Sequence, residues 1–208
     1  MVYLDCNATT PLEPDVEKIL VQYMSVEFGN AGSRTHEFGL RAKQAVQKAR
    51  NQIADVVGAE KDEIIFTSGA TESNNLAILG LIDFGVESEK KHIISTQIEH
   101  KAVLEPLQIL EEKGFEITLV PPNKQGWVDP NSIKEVLRDD TLLVSLMHVN
   151  NETGMVQPIS EVAELLKTHN TIFHVDAAQG FGKDIDTLLN QRIDLMSISA
   201  HKVFGPKG

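Results

Sequence analysis

The chain has 208 residues, 30 of them acidic and 19 basic for a formal charge of −11, and 41% hydrophobic, the profile of a folded globular chain rather than a disordered one. The acidic balance argues against direct nucleic-acid binding, which needs clustered Lys and Arg to neutralise phosphates, and the single cysteine, Cys6, excludes an internal disulfide framework and a Cys-cluster metal site. The longest apolar runs, such as 141–149, fall short of a bilayer span, and the opening MVYLDCN lacks the basic and apolar regions of a secretory signal, so a cytoplasmic, enzyme-like chain without membrane attachment is expected.

Val16, Ile19, Leu20, Tyr23 and Met24 follow helical spacing, and Pro14 suits the first turn of that helix. After the irregular stretch EFGNAGSR a long helix is expected, with Phe38, Ala42, Ala45, Val46, Ala49, Ile53, Val56 and Val57 on one side. Ser33 or Thr35 would cap its start and Gly58 would end it. From there the rhythm is strand, loop, helix. Strands are predicted at 63–67, 92–96, 116–120, 142–148, 172–176 and 195–199, and helices at 72–84, 102–113, 132–137 and 160–168. Continuous apolar runs such as LLVSLMHV suit strands buried on both faces. The alternation predicts an α/β fold with a mostly parallel sheet flanked by helices. The chain stops at HKVFGPKG, just after a strand and with no closing helix, so it is expected to be the front portion of a longer protein.

In open α/β sheets ligands bind beyond the C-terminal ends of the strands, which directs attention to the residues there. The segment Ser68-Gly69-Ala70-Thr71-Glu72 opens a helix. It reads either as a plain capped strand-to-helix loop or as a phosphate cradle, in which Gly69 admits close approach and the helix N-terminus offers free N–H groups. It is not a Walker A loop, because no Gly-Lys-Ser/Thr follows. Asp176 ends an apolar strand, either as an ordinary loop or cap residue or as a carboxylate facing a cation such as a pyridinium nitrogen. Lys202 follows the strand LMSIS and is either a surface lysine or a Schiff-base lysine. His100 is either a structural hydrogen-bonder or a ring that stacks on a cofactor and moves protons. Asn150, Asn151, Gln179, Ser199 and His201 also fall at strand ends. The seven histidines show no HExxH and no ligand spacing with cysteine, so no metal site is expected.

Together the segments YLDCNATTPL, FGNAGSRTHEFG, IIFTSGATESNNLAI, EHKAVL, LMHVNNETG, FHVDAAQGFGK and LMSISAHKVFGPKG resemble the NifS/IscS-type cysteine desulfurases. These are pyridoxal-phosphate enzymes of the class V aminotransferase group, and the likeness runs through all 208 residues in order. It implies the fold type I architecture, with residues 1–14 as an arm contributing to a small domain and residues 15–208 as an incomplete large domain that binds pyridoxal 5′-phosphate. Carried over by position, Lys202 would bond the cofactor aldehyde and Asp176 would bind the pyridinium nitrogen. Gln179 would hydrogen-bond the phenolic oxygen with Asn151 nearby. His100 would stack on the ring and shuttle protons, while Ala70, Thr71, Ser199 and His201 would hold the phosphate.

The implied reaction converts L-cysteine to L-alanine and leaves sulfur on an enzyme cysteine as a persulfide. The sulfur would then pass to an acceptor such as an iron–sulfur scaffold or a thiolation pathway, and the enzyme would be a homodimer. The family's nucleophilic cysteine and its carboxylate-binding arginine lie downstream of the lysine, outside these residues, and Cys6 does not match the nucleophile. The chain alone is therefore expected to hold the cofactor without completing desulfuration. Another class V enzyme, such as a selenocysteine lyase or an aminotransferase, and a cofactor-binding fragment without turnover are the alternatives.

Overall fold

The structure is a computed structural model that describes residues 1–207. After an arm without regular structure, helix α1 (Pro14–Ser25) starts where Pro14 pre-sets the first turn and the Glu13 carboxylate accepts from the amides of Asp15 and Val16. Helix α2 (Glu37–Val57) ends at Gly58, whose left-handed φ of 68° suits glycine. Its start differs from expectation. His36, not Ser33 or Thr35, is the cap, and its Nδ1 accepts from the Gly39 amide, because the helix begins directly after it.

The predicted strand at 63–67 is absent as a strand. Lys61–Glu63 forms a single 3-10 turn, and the residues that follow run on without a ladder partner. Apolar patterning favours an extended backbone, but a strand also needs a neighbour. Residues 64–67 and Met196 of the last strand both line an apolar groove of about 870 Å³ instead of pairing with each other. Ile65 is left 67% exposed and Phe66 48% exposed. The helix expected over 72–84 is two, α3 (Ala70–Leu79) and α4 (Ile82–Glu87), interrupted at Gly80, a residue of low helix propensity.

The remaining elements are β1 (His92–Thr96), α5 (Lys101–Glu112), β2 (Glu116–Val120), α6 (Pro130–Val136), β3 (Thr141–Met147), α7 (Ile159–Leu166), β4 (Ile172–Asp176) and β5 (Leu195–Ser197). The last strand ends two residues before its predicted limit, because the Ala177 amide bonds Ser197 O and the chain then turns at Ser199. The strands form one sheet in the order β2-β1-β3-β4-β5, and every pairing is parallel.

Two apolar layers sandwich the sheet. On one face Ile94, Val144, Phe173 and Val175 pack with Ile133 of α6 and Val162 and Leu166 of α7. On the other, Ile93 and Leu143 pack with Ile78 of α3 and Val103, Leu107 and Leu110 of α5. β3 is buried at every position, as a parallel sheet covered by helices requires. The sheet grows one way from β1 to β2 and the other way from β1 to β3, which opens a crevice beyond the C-terminal ends of β1 and β3. No helix among the described residues is long and apolar enough to cross a membrane.

Candidate active site

The loops beyond the sheet's C-terminal edge enclose a cleft of about 820 Å³. Ala70 and Thr71 reach it from the start of α3, His100 from the end of the β1 loop, and Asn151 from the loop after β3. Asp176 and Gln179 reach it from the end of β4, and Ser199, His201 and Lys202 from the turn after β5. Every residue to which the resemblance assigns a role therefore borders one cavity, whereas Asn150 does not.

The α3 end of the cleft is built for an anion. Gly69 precedes the helix at φ 150° and ψ 179°, a conformation that side chains resist, and no side chain caps the first turn. The N–H groups of that turn, with the helix dipole, therefore face the cavity unengaged. The loop is held by Thr67, whose hydroxyl lies 2.8 Å from Ser73 Oγ, and by Glu72, which accepts from the Ser68 amide.

Across the cleft, Asp176 is 6% exposed. Its Oδ1 accepts from the Ala178 amide at 3.0 Å and its Oδ2 from Asn74 Nδ2 at 2.7 Å. Both oxygens are thus acceptors already, the arrangement that suits a carboxylate. Lys202, half-buried in the 3-10 turn Ala200–Lys202, has its amine pushed below the usual lysine range by burial; the Asp176 charge opposes this and Lys183 adds to it. The His100 side chain caps α5, its Nδ1 accepting from the Ala102 amide at 3.0 Å. That bond leaves Nε2 as the nitrogen able to exchange a proton with a ligand.

Gln179 Nε2 donates to Asn7 O at 2.8 Å, while its buried Oε1 has no partner. The turn bearing Gln179 packs against His148 so closely that a Cβ on Gly180 would lie 1.9 Å from the ring. Burial lowers His148, with Asp184 opposing, and hydrogen bonds from Thr187 and His148 lower Asp184. Both directions are met when a neutral imidazole donates from Nε2 to an ionised Asp184, 3.1 Å away. His201 is also lowered, first by burial and then by Lys202 and Lys207.

Several functional neighbours were not singled out from the sequence. Asn74, 1% exposed, holds Asp176 from α3; its one sequence signal is that it lies a helical turn before the buried Ile78. Glu99, beside His100, is buried and accepts from Thr96 Oγ1 and the Met147 amide, both at 2.8 Å. Asn7, Thr9 and Thr10 of the arm reach the loops after β3, β4 and β5; the motif NATTP carried that signal. Asn150, which the sequence did place at a strand end, does not line the cleft but organises its loop, its Oδ1 accepting from the Glu152 and Thr153 amides. No group of three His, Cys, Asp or Glu residues among the described residues is placed to hold a metal ion.

A parallel sheet with an amine and a buried carboxylate bordering one strand-end cleft, beside an uncapped helix start, places this chain among the α/β proteins whose ligands bind at strand ends. The chain belongs to the aminotransferase class-V family, which it matches over residues 2–208. It is 53% identical over its whole length to a protein of Psychromonas ingrahamii named cysteine desulfurase IscS, and 50% identical to one of Escherichia coli with the same name. In each case it covers 52% of the relative, so the chain spans about half the length of the curated relatives it matches. Among solved structures it superposes along its full length on DndA from Streptomyces lividans, at 54% identity and a TM-score of 0.89, covering 57% of that chain. It superposes on SspA in complex with cysteine at 42% identity and a TM-score of 0.93, covering 59% of that chain.

Proposed function

We propose that the cleft holds pyridoxal 5′-phosphate and that the protein is a cysteine desulfurase, converting L-cysteine to L-alanine. The observation that carries the reading is the pairing of Lys202 and the buried Asp176 across one cleft, from neighbouring strand ends. The donors suit such a group. The uncapped start of α3, with Ala70, Thr71, Ser199 and His201, would take the phosphate. Asp176 would pair with the ring nitrogen, Gln179 and Asn151 would meet the phenolic oxygen, and His100 would lie against the ring. The two buried atoms without partners on this rim, Asn74 Oδ1 and Gln179 Oε1, mark polar positions left for a bound group.

When bound, pyridoxal phosphate supplies an electron sink for bonds broken at the substrate α-carbon. The chain's own groups do the rest. Burial keeps the Lys202 amine closer to its neutral form than a surface lysine, so it can attack a carbonyl and later accept a proton. His100 offers Nε2 as a second proton carrier. Asp176, already anchored by Asn74 and the Ala178 amide, holds its charge in place for a ring cation without rearranging.

We further read residues 1–14 as an arm to a cofactor-binding domain of residues 15–208. The resemblance supports a homodimer that hands sulfur to an acceptor such as an iron–sulfur scaffold in the cytoplasm. Exposed Ile19, Val21, Tyr23 and Met24 of α1, a helix with no buried residue, support an assembled state.

The test is to add pyridoxal 5′-phosphate, reduce with borohydride, and map the label by mass spectrometry. Label on Lys202, and its loss in Lys202→Ala, is expected; label on Lys183 or Lys207 refutes the assignment. A second reading, cofactor binding without desulfuration, is favoured by one observation: Cys6, the chain's single cysteine, is exposed and does not border the cleft. Labelling of Lys202 with no alanine formed from cysteine in the presence of an added thiol would select it.

A further inference from the structure

We propose that Thr10 is a positioning residue for Lys202: its hydroxyl clamps the main chain on both sides of the lysine and so fixes the turn from which the amine enters the cleft. The inference rests on reading Lys202 as the residue that bonds the cofactor.

Thr10 is 7% exposed although it lies in an arm whose preceding residues are mostly exposed. Its Oγ1 donates to His201 O at 2.9 Å and accepts from the Phe204 amide at 2.8 Å. One hydroxyl therefore bridges the residue before Lys202 and the residue two after it. The Thr10 amide adds a bond to His201 O at 2.8 Å, and the Glu13 amide one to Phe204 O at 2.9 Å. Beside it, Thr9 Oγ1 lies 3.1 Å from His201 Nδ1.

The turn needs this hold. Phe204 has φ 64°, a left-handed conformation that is strained for an aromatic residue. Its side chain is not buried in compensation, since the residue is 51% exposed. The bonds that fix it are the two from the arm, one to its amide and one to its carbonyl. Immediately after it, Gly205 folds back so tightly that a Cβ there would lie 2.8 Å from Ala200 O. Within the turn the Gly205 amide's 2.9 Å bond to Ala200 O also spans Phe204; without the arm, Phe204 loses both bonds made by its own amide and carbonyl and is freer to relax to negative φ. Such relaxation would unwind the Ala200–Lys202 turn and carry the amine toward solvent.

The experiment uses the whole chain and two variants of equal bulk or chemistry. Thr10→Val keeps the shape and deletes the hydroxyl; Thr10→Ser keeps the hydroxyl. The readout is the pH dependence of Lys202 acylation by isotope-labelled acetic anhydride, followed by mass spectrometry without cofactor. Wild type is expected to give a midpoint below that of exposed lysines. In Thr10→Val it should rise by roughly half a pH unit or more as the amine gains solvent, and in Thr10→Ser it should return. Half-saturation with pyridoxal 5′-phosphate should rise about five- to tenfold in Thr10→Val, the equivalent of one lost hydrogen bond.

An unmoved acylation midpoint in a folded Thr10→Val overturns the proposal. Should that variant fail to fold, amide exchange in wild type decides instead. The Phe204 amide should exchange about a hundredfold more slowly than a free loop amide, and exchange at the free rate overturns the clamp. If wild type takes up no pyridoxal phosphate, the cofactor reading fails, while the Lys202 titration still reports on Thr10.

Discussion

Asp176 at the end of β4 and Glu99 just beyond β1 are both carboxyls, each 6% exposed, yet their surroundings give them opposite duties. Asp176 receives one donor on each oxygen and borders the cleft opposite Lys202. Glu99 receives both of its donors on Oε1, while Oε2 is buried with no partner and no cation is bonded to it among the described residues. Burial pushes Glu99 up to about 8 against its Met147 and Thr96 bonds, with Asp176 adding to the rise. At neutral pH it is therefore a protonated acid that ties the end of β1 to the end of β3, next to His100. The contrast is one of partners: Asp176 is anchored through both oxygens toward the cleft, whereas Glu99 is held through one and is raised chiefly by burial, which its two donors only partly offset.

The largest effect that would break this comparison is on cofactor uptake. Asp176→Asn keeps the size and loses the charge, so half-saturation with pyridoxal 5′-phosphate should rise by about ten- to a hundredfold, the equivalent of a lost charge-assisted hydrogen bond. Glu99→Gln replaces a neutral acid by a neutral amide and should stay within about threefold at pH 7, because it leaves the charge beside the cleft unchanged. Equal losses in the two variants would place Glu99 in the cofactor site and end the distinction.

Stability against pH sharpens it next. Glu99 is raised from 4.5 to about 8, so between those values the unfolded chain holds fewer protons and stability declines as pH rises. His174 on β4, held between Ser145 and Ser197 and lowered by burial from 6.5 to about 4, acts in the opposite sense. Between pH 4 and 6.5 the unfolded chain holds the extra proton, so stability rises with pH. The two slopes oppose one another from 4.5 to 6.5; above that the lowered histidines no longer contribute and Glu99 sets the decline, with the lowered Lys202 opposing it at higher pH. The unfolding free energy of wild type from urea titration should fall from pH 6.5 to 8 with a slope on the order of 1.4 kcal/mol per pH unit or less, and Glu99→Gln should flatten it. A decline that survives the substitution would assign that window to other groups.

What the residues revealed in advance divides along the same physical lines. The strands at His92–Thr96, Glu116–Val120 and Ile172–Asp176 have the bounds that their residue patterns marked. His100, Asn151, Asp176, Gln179, Ser199, His201 and Lys202 were legible because each lies at or beyond a strand end and the sheet rule places strand ends together, whereas Ala70 and Thr71 reach the cleft after a segment that joins no ladder. The segment at 63–67 misled because a short continuous apolar run such as Ile64-Ile65-Phe66 suits an extended backbone without specifying its neighbour. The contacts that complete the site escaped for a different reason. Asn74 meets Asp176 across 102 positions and Thr10 meets Phe204 across 194. No local periodicity encodes such pairings; they exist only once the layers have closed. His36 escaped because the usual capping chemistry belongs to Ser, Thr, Asp and Asn.

The smallest expected effect tests the donor argument from the α3 side. Asn74→Ala removes the donor to Asp176 Oδ2 and also the unpartnered Oδ1, so it leaves one buried acceptor short and deletes another unsatisfied atom. The net cost should be about 1–3 kcal/mol at pH 7, since a buried acceptor next to a charge is left without its bond. Part of any such loss would come from the space vacated on α3, and a single variant cannot separate the two. A double-mutant cycle does. With Asp176→Ala as background the acceptor is already gone, and Asn74→Ala should cost markedly less than in wild type. Equal costs in both backgrounds would mean that Asn74 serves only the packing of α3 on the sheet, and that Asp176 keeps its place without a donor on each oxygen.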